Sequence, residues 1–124
     1  MKYKLTKRAN PQNRAQEKWY AAPVYDGKIN KTDLTKEIVG MSSLSRGDVS
    51  NVIENVIDVT PKYLLMGKII KLGELGSFRL SFSSEGVENE NEFTVAKISG
   101  VRVVFTPSPE LRKMLSDIKF EKAT

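Results

Sequence analysis

Residues 68–83 read KIIKLGELGSFRLSFS, and the pattern of this stretch decides the fold. Two short runs alternate in character on either side of Gly73-Glu74-Leu75-Gly76. In the first, Ile70 and Leu72 fall on one side, with Ile69 and Lys71 on the other. In the second, Phe78, Leu80 and Phe82 share one face, and Arg79, Ser81 and Ser83 share the opposite one. A period of two marks a strand with one buried face. Glycines at 73 and 76 supply the positive backbone angles that a short reversal between strands uses. The stretch is therefore predicted to be a β-hairpin.

Upstream of it the pattern is helical. Asn30 is a strong N-cap, and Asp33 lies in the first turn, where negative charge is favoured. Leu34 and Ile38 form an i, i+4 apolar pair, and Gly40 ends this short helix. Ser45-Arg46-Gly47-Asp48 opens a second helix with a variant of the capping box, Asp standing where Glu is commoner. Val49, Val52, Ile53, Val56 and Ile57 then repeat at helical spacing. Pro61 removes a backbone donor, which predicts either a kink or a stop followed by a new turn capped by Thr60. Tyr63, Leu64 and Met66 continue the apolar supply as far as Gly67.

Downstream, residues 84–92 (SEGVENENE) are acidic and polar and read as an exposed connection. Residues 93–98 and 101–105 are predicted to be two further strands around a Ser99-Gly100 turn, with Val101, Val103 and Phe105 on one face. Ser108-Pro109-Glu110 is a helix start, and Leu111, Met114, Leu115 and Ile118 follow at helical spacing. At the other end, residues 3–8 alternate weakly and predict an edge strand that Asn10-Pro11 terminates. Residues 18–24 are a second aromatic stretch, which Pro23 confines to a sheet edge or a loop. Tyr25-Asp26-Gly27-Lys28 reads as a turn.

The chain has 124 residues, enough for one domain with its own core. No run of eighteen apolar residues is present, so no membrane-spanning helix is predicted. The N-terminus is basic but lacks an apolar segment, so no cleavable secretion signal is expected. The chain has no Cys, which removes any disulfide framework and fits a cytoplasmic setting. It has no His either. The usual general base, zinc ligands and thiol nucleophile are therefore missing, and neither enzyme activity, a metal nor a cofactor is expected. The acidic ENENE run lacks the spaced Asp/Asn and bidentate Glu of a calcium loop. The Gly73/Gly76 turn lacks the Gly-Lys-Ser/Thr of a phosphate loop.

Net charge is +5, and its distribution is uneven. Residues 1–36 carry nine Lys or Arg against three acids, whereas residues 80–96 carry four acids and no base. A basic balance of this kind points toward a polyanionic partner.

Three stretches together resemble the HU and integration host factor family of bacterial DNA-binding proteins. They are Asn30-Lys31-Thr32-Asp33-Leu34, Leu44-Ser45-Arg46-Gly47-Asp48-Val49, and Gly67 followed by Leu72-Gly73-Glu74-Leu75-Gly76-Ser77-Phe78. Phe105 and Leu111 stand where the family has its closing strand and last helix. The similarity covers about residues 29–118. Residues 1–28 resemble the extension of an HU-like branch found in Bacteroides-type bacteria.

The resemblance implies an α+β, HU-like fold: two N-terminal helices, a small antiparallel β-sheet with a shortened arm, and a short C-terminal helix, assembled as an intertwined homodimer. It divides the chain into an N-terminal extension, residues 1–28, and an HU-like DNA-binding domain, residues 29–124. In the family, sheets form a saddle on the DNA minor groove, and long arms with a Pro at the tip bend the duplex. Here residues 84–92, where the arm belongs, carry Glu85, Glu88, Glu90 and Glu92 and no Lys, Arg or Pro.

The implied function is non-enzymatic, sequence-tolerant binding of double-stranded DNA in the nucleoid, with no membrane and no small-molecule substrate. The alternatives are an HU-like dimer with a protein-interaction or structural role and weak or no DNA binding, and a binder of RNA or single strands. Lys31, Lys71, Arg79, Lys97 and Arg102 are the candidate DNA-binding residues, and the other reading of them is scattered solubilising charge. Lys4, Lys7 and Arg8 are candidates for further DNA contacts. The other reading of their segment is an extra strand whose Tyr3, Leu5, Trp19 and Tyr20 cover a sheet edge or the partner subunit. Phe78, Leu80, Phe82, Val103 and Phe105 are expected to form core and dimer seam.

Overall fold

The computed structural model describes all 124 residues and contains the expected hairpin. Strand β3 (Ile70–Leu72) turns through Gly73-Glu74-Leu75 into β4 (Gly76–Ser84). A further strand, β5 (Ile98–Pro107), pairs antiparallel on the far side of β4, giving the order β3-β4-β5.

Gly76 is where the turn, β5 and the next helix meet. It has φ 151°, and a Cβ there would strike the Thr106 carbonyl oxygen and lie 2.7 Å from the Phe105 ring. Only glycine fits. Helix α3 (Pro109–Leu115) begins immediately after β5. Its cap, Ser108, is buried because it has a second task. The Ser108 hydroxyl accepts from Leu111 N at 3.0 Å and donates to the Glu74 carbonyl, while Ser108 N donates to the Leu75 carbonyl at 3.1 Å. One serine thus caps the helix and ties down the hairpin turn.

Two helices precede the sheet. Helix α1 (Lys31–Gly40) has the expected Asn30–Asp33 capping box, and α2 (Arg46–Leu65) has the Ser45–Asp48 box, each with both reciprocal hydrogen bonds made. The predicted stop at Pro61 does not occur. The helix runs through it to Leu65, because a single missing donor removes one bond while the neighbouring turns keep theirs.

Several other expectations are corrected. Residues 93–98 are not a strand: short 3₁₀ turns at Glu90–Glu92 and Val95–Lys97 carry the chain, and β5 starts only at Ile98. Ser99-Gly100 is not a turn between strands but part of β5. Ser81 pairs with Arg102 and Ser83 with Ser99, so β5 has one extra residue, and Gly100 at φ 65° forms a bulge. Tyr25-Asp26-Gly27-Lys28 is an irregular connection rather than a turn, with Gly27 at φ 83°. Ile118 lies beyond α3.

The N-terminal residues form a separate sheet. Strands β1 (Lys2–Asn10) and β2 (Asn13–Val24) make a long antiparallel ribbon, and β6 (Glu121–Lys122) joins the other side of β1 in parallel. The order β2-β1-β6 makes β1 the central strand, not an edge. The extension therefore does not cover an edge of the β3-β4-β5 sheet. Pro23 lies in the outer strand β2, as its missing donor requires.

Only five of the 124 residues are buried, and Val49 and Leu64 of α2 are the sole large apolar ones. Accessible surface is 10711 Å². A folded monomer of 13.9 kDa exposes about 6,700 Å². The excess, on the order of 4,000 Å², is surface that a compact monomer of this mass would cover. This single chain does not close its own core.

Candidate nucleic-acid interface

The strand register sorts the β3-β4-β5 sheet into two faces. Lys71 pairs with Ser77, which pairs with Thr106; Arg79 pairs with Val104, and Ser81 with Arg102. Residues directly opposite in a ladder share a face. Lys71, Arg79 and Arg102 therefore lie together on one side.

The arginines are held by neutral groups. Arg79 donates to the Thr106 hydroxyl at 3.0 Å, and Arg102 donates to the Ser83 hydroxyl at 3.2 Å and the Gly100 carbonyl at 3.1 Å. None of the three cations has a carboxylate partner, since the ion pairs of the chain are Lys7–Glu17, Lys31–Glu54 and Lys97–Glu85. The two arginines are oriented and none of the three charges is neutralised, which suits an anionic ligand.

The opposite side of the sheet is apolar. Ile70, Phe78 and Phe105 stand in register, as do Leu80 and Val103, and the two phenyl rings are 5.0 Å apart and tilted by 39°. Val52, Val56, Val59 and Tyr63 of α2 line a cavity of about 410 Å³ together with Ile70 and Leu72, so this side is turned toward the helix. Of the expected core residues, Phe78 and Leu80 are half-buried, whereas Phe82, Val103 and Phe105 remain 55%, 57% and 42% exposed.

Two predicted DNA-binding residues lie elsewhere. Lys31 opens α1 and pairs with Glu54 of α2. Lys97 ends a 3₁₀ turn and pairs with Glu85 at 3.5 Å. The β1–β2 ribbon also divides its cations: Lys4 and Arg8 share a face with Lys18, whereas Lys7 is on the other face, 3.3 Å from Glu17. Lys18 was missed by sequence reasoning, and the signal that identifies it is its register opposite Arg8 across the ribbon. Thr106 and Ser83 were missed as arginine anchors for the same reason, since pairing partners are invisible until the register is known.

Residues 1–122 match the HU-HIG family, described as an HU domain fused to a wHTH, Ig or glycine-rich motif. The chain belongs to the HU-HIG family. Among relatives of this HU-HIG chain are integration host factor subunit alpha from two strains of Haemophilus influenzae, each 32% identical over 93 residues, covering 73% of this chain and 97% of the relative. The resemblance to the HU and integration host factor family is thereby established. A crystal structure of a candidate bacterial DNA-binding protein from Bacteroides vulgatus is similar in fold, with a TM-score of 0.62 and 19% identity. The match covers 98% of the HU-HIG chain but 47% of that protein, so this chain spans about half its length.

Proposed function

We propose that this protein is a non-enzymatic, histone-like DNA-binding protein that acts as a homodimer on the bacterial nucleoid, in the cytoplasm. The observation that carries the reading is the two-faced β3-β4-β5 sheet, with Lys71, Arg79 and Arg102 unneutralised on one side and an under-covered aromatic face on the other. Two copies clasp through the apolar side and the α2 groove, and their cationic sides together grip the duplex along its backbone and minor groove. Contacts of this type go to phosphates, which carry no base identity, so binding is sequence-tolerant. Membership of the HU-HIG family and the similarity to integration host factor support the reading.

The acidic residues 84–92 repel phosphate, so the sheet rather than this connection makes the contact. Fluorescence titration of a labelled duplex at two salt concentrations tests the proposal. Three contacts per subunit, about six per dimer, predict a loss of roughly a thousandfold in affinity between 50 and 200 mM salt. No salt-sensitive binding at micromolar protein would replace the reading with a dimeric protein-interaction module.

A further inference from the structure

The β1–β2 ribbon repeats, in a different sheet, the separation of charge from apolar surface. Alternate positions place Lys2, Lys4, Thr6 and Arg8 of β1 on the same face as Lys18, Tyr20, Ala22 and Val24 of β2. Only one carboxylate shares that face: Glu121 of β6, opposite Lys2 at the base of the ribbon. Lys4, Arg8 and Lys18 are exposed and have no carboxylate partner. Arg8 lies 5.0 Å from the centroid of Tyr20, which orients the guanidinium without neutralising it. The other face carries Tyr3, Leu5, Trp19, Ala21 and Pro23, together with the Lys7–Glu17 ion pair.

We propose that Lys4, Arg8 and Lys18 form a second contact to the phosphate backbone of duplex DNA, separate from the Lys71–Arg79–Arg102 face. The inference rests on the DNA-binding reading above. The ribbon is held at its base, where β6 pairs with β1, the N-terminal amine donates to the Lys119 carbonyl at 2.7 Å, and Ala123 N donates to the Tyr3 carbonyl at 2.9 Å. A ribbon fixed at one end presents its cations at little further entropic cost. Lys4 and Arg8 are separated by about 13 Å along the strand, with Lys18 across from Arg8, so the three address phosphates on a rigid polymer rather than one compact anion.

The arrangement of aromatic residues selects among polyanions. Stacking on single-stranded bases needs an open ring beside the cations. Arg8 already covers Tyr20, and Trp19 is on the opposite face. Anchoring in an anionic membrane draws on an apolar face as well as a charged one, whereas Lys4, Arg8 and Lys18 can meet phosphates without the face that carries Leu5 and Trp19. A duplex backbone requires neither.

Five proteins distinguish the outcomes in anisotropy titrations of a duplex across a salt series: the wild type, the ribbon variant Lys4→Gln/Arg8→Gln/Lys18→Gln, its charge-conserving counterpart Lys4→Arg/Lys18→Arg, the opposite-face variant Lys7→Gln, and the sheet variant Lys71→Gln/Arg79→Gln/Arg102→Gln. The ribbon variant is expected to lower the slope of log affinity against log salt by about 0.9 for each phosphate it no longer engages, about 2.7 per subunit for all three. Lys7→Gln is expected to leave the slope unchanged, and a Lys4→Arg/Lys18→Arg protein to retain the wild-type value. A ribbon variant that matches the wild type while the sheet variant loses binding would overturn this inference and leave the DNA-binding reading intact. An equal loss in Lys7→Gln, or a ribbon variant impaired only toward single-stranded RNA or phosphatidylserine vesicles, would also overturn it. No binding by the wild type would overturn both.

Discussion

The two three-stranded sheets follow the same alternation but differ in what backs them. In β3-β4-β5 the apolar face is turned toward α2, across a groove of about 410 Å³. In β2-β1-β6 the apolar face carries Trp19 at 64% exposure and a shallow hollow lined by Tyr3, Ala21, Pro23 and Phe120. The first of these sheets is assembled from neighbouring segments, whereas the second joins the two ends of the chain. A period of two writes a two-faced sheet in either case. Whether the apolar face becomes a core depends on the helix, or the second copy, that covers it.

The largest effect is expected at the turn of the helix-backed sheet. Gly76→Ala places a methyl group against the Thr106 carbonyl and the Phe105 ring, in a backbone region that side chains avoid. A loss of at least about 3 kcal/mol is expected in urea unfolding, enough to abolish a cooperative transition in a marginal protein.

The contrast between the sheets is sharpened by a matched pair. Phe105→Ala is expected to cost about 3 kcal/mol, because the ring packs on Phe78 and, in the proposed dimer, a second copy completes its burial. Trp19→Ala, a larger deletion on the unbacked sheet, is expected to cost less than about 1 kcal/mol. Thermal unfolding at several protein concentrations checks both, and only the Phe105 variant should change the concentration dependence. Equal costs would break the comparison.

A smaller effect belongs to Ser108→Ala. It removes the α3 cap and the tie to the Glu74 carbonyl, for a loss of about 1–2 kcal/mol. Ser45→Ala removes a cap and the exposed hydroxyl's hydrogen bond to Asp48 Oδ2, with no tie to another element, and is expected to cost about 1 kcal/mol. A smaller loss at Ser108 than at Ser45 would show that the tie to the turn contributes nothing.

Much of this organisation was legible in the residues. Both capping boxes, the hairpin turn and the Ser108 start are local chemistry, and each lies where its side chains put it. The alternation of residues 76–82 foretold the two faces of β4. What escaped depended on partners distant in sequence. Gly100 reads as a turn until Ser83↔Ser99 and Ser81↔Arg102 show a bulge. Glu121–Lys122 is too short to announce a strand, and it forms only because β1 offers an edge. At the candidate site, five cations were nominated by type, but the register and the carboxylates near Lys31 and Lys97 separate three unneutralised ones from two paired ones. Nothing in a linear pattern reports which Glu lies beside which Lys.

All of these contrasts depend on a second copy covering the apolar side of β3-β4-β5. Sedimentation equilibrium at micromolar concentration, without DNA, measures that directly. The expected molar mass is twice the 13.9 kDa of the chain, with no dissociation on modest dilution. A stable species of 13.9 kDa that remains folded would contradict the account, because it would leave Phe82, Val103 and Phe105 facing water with no penalty to the fold.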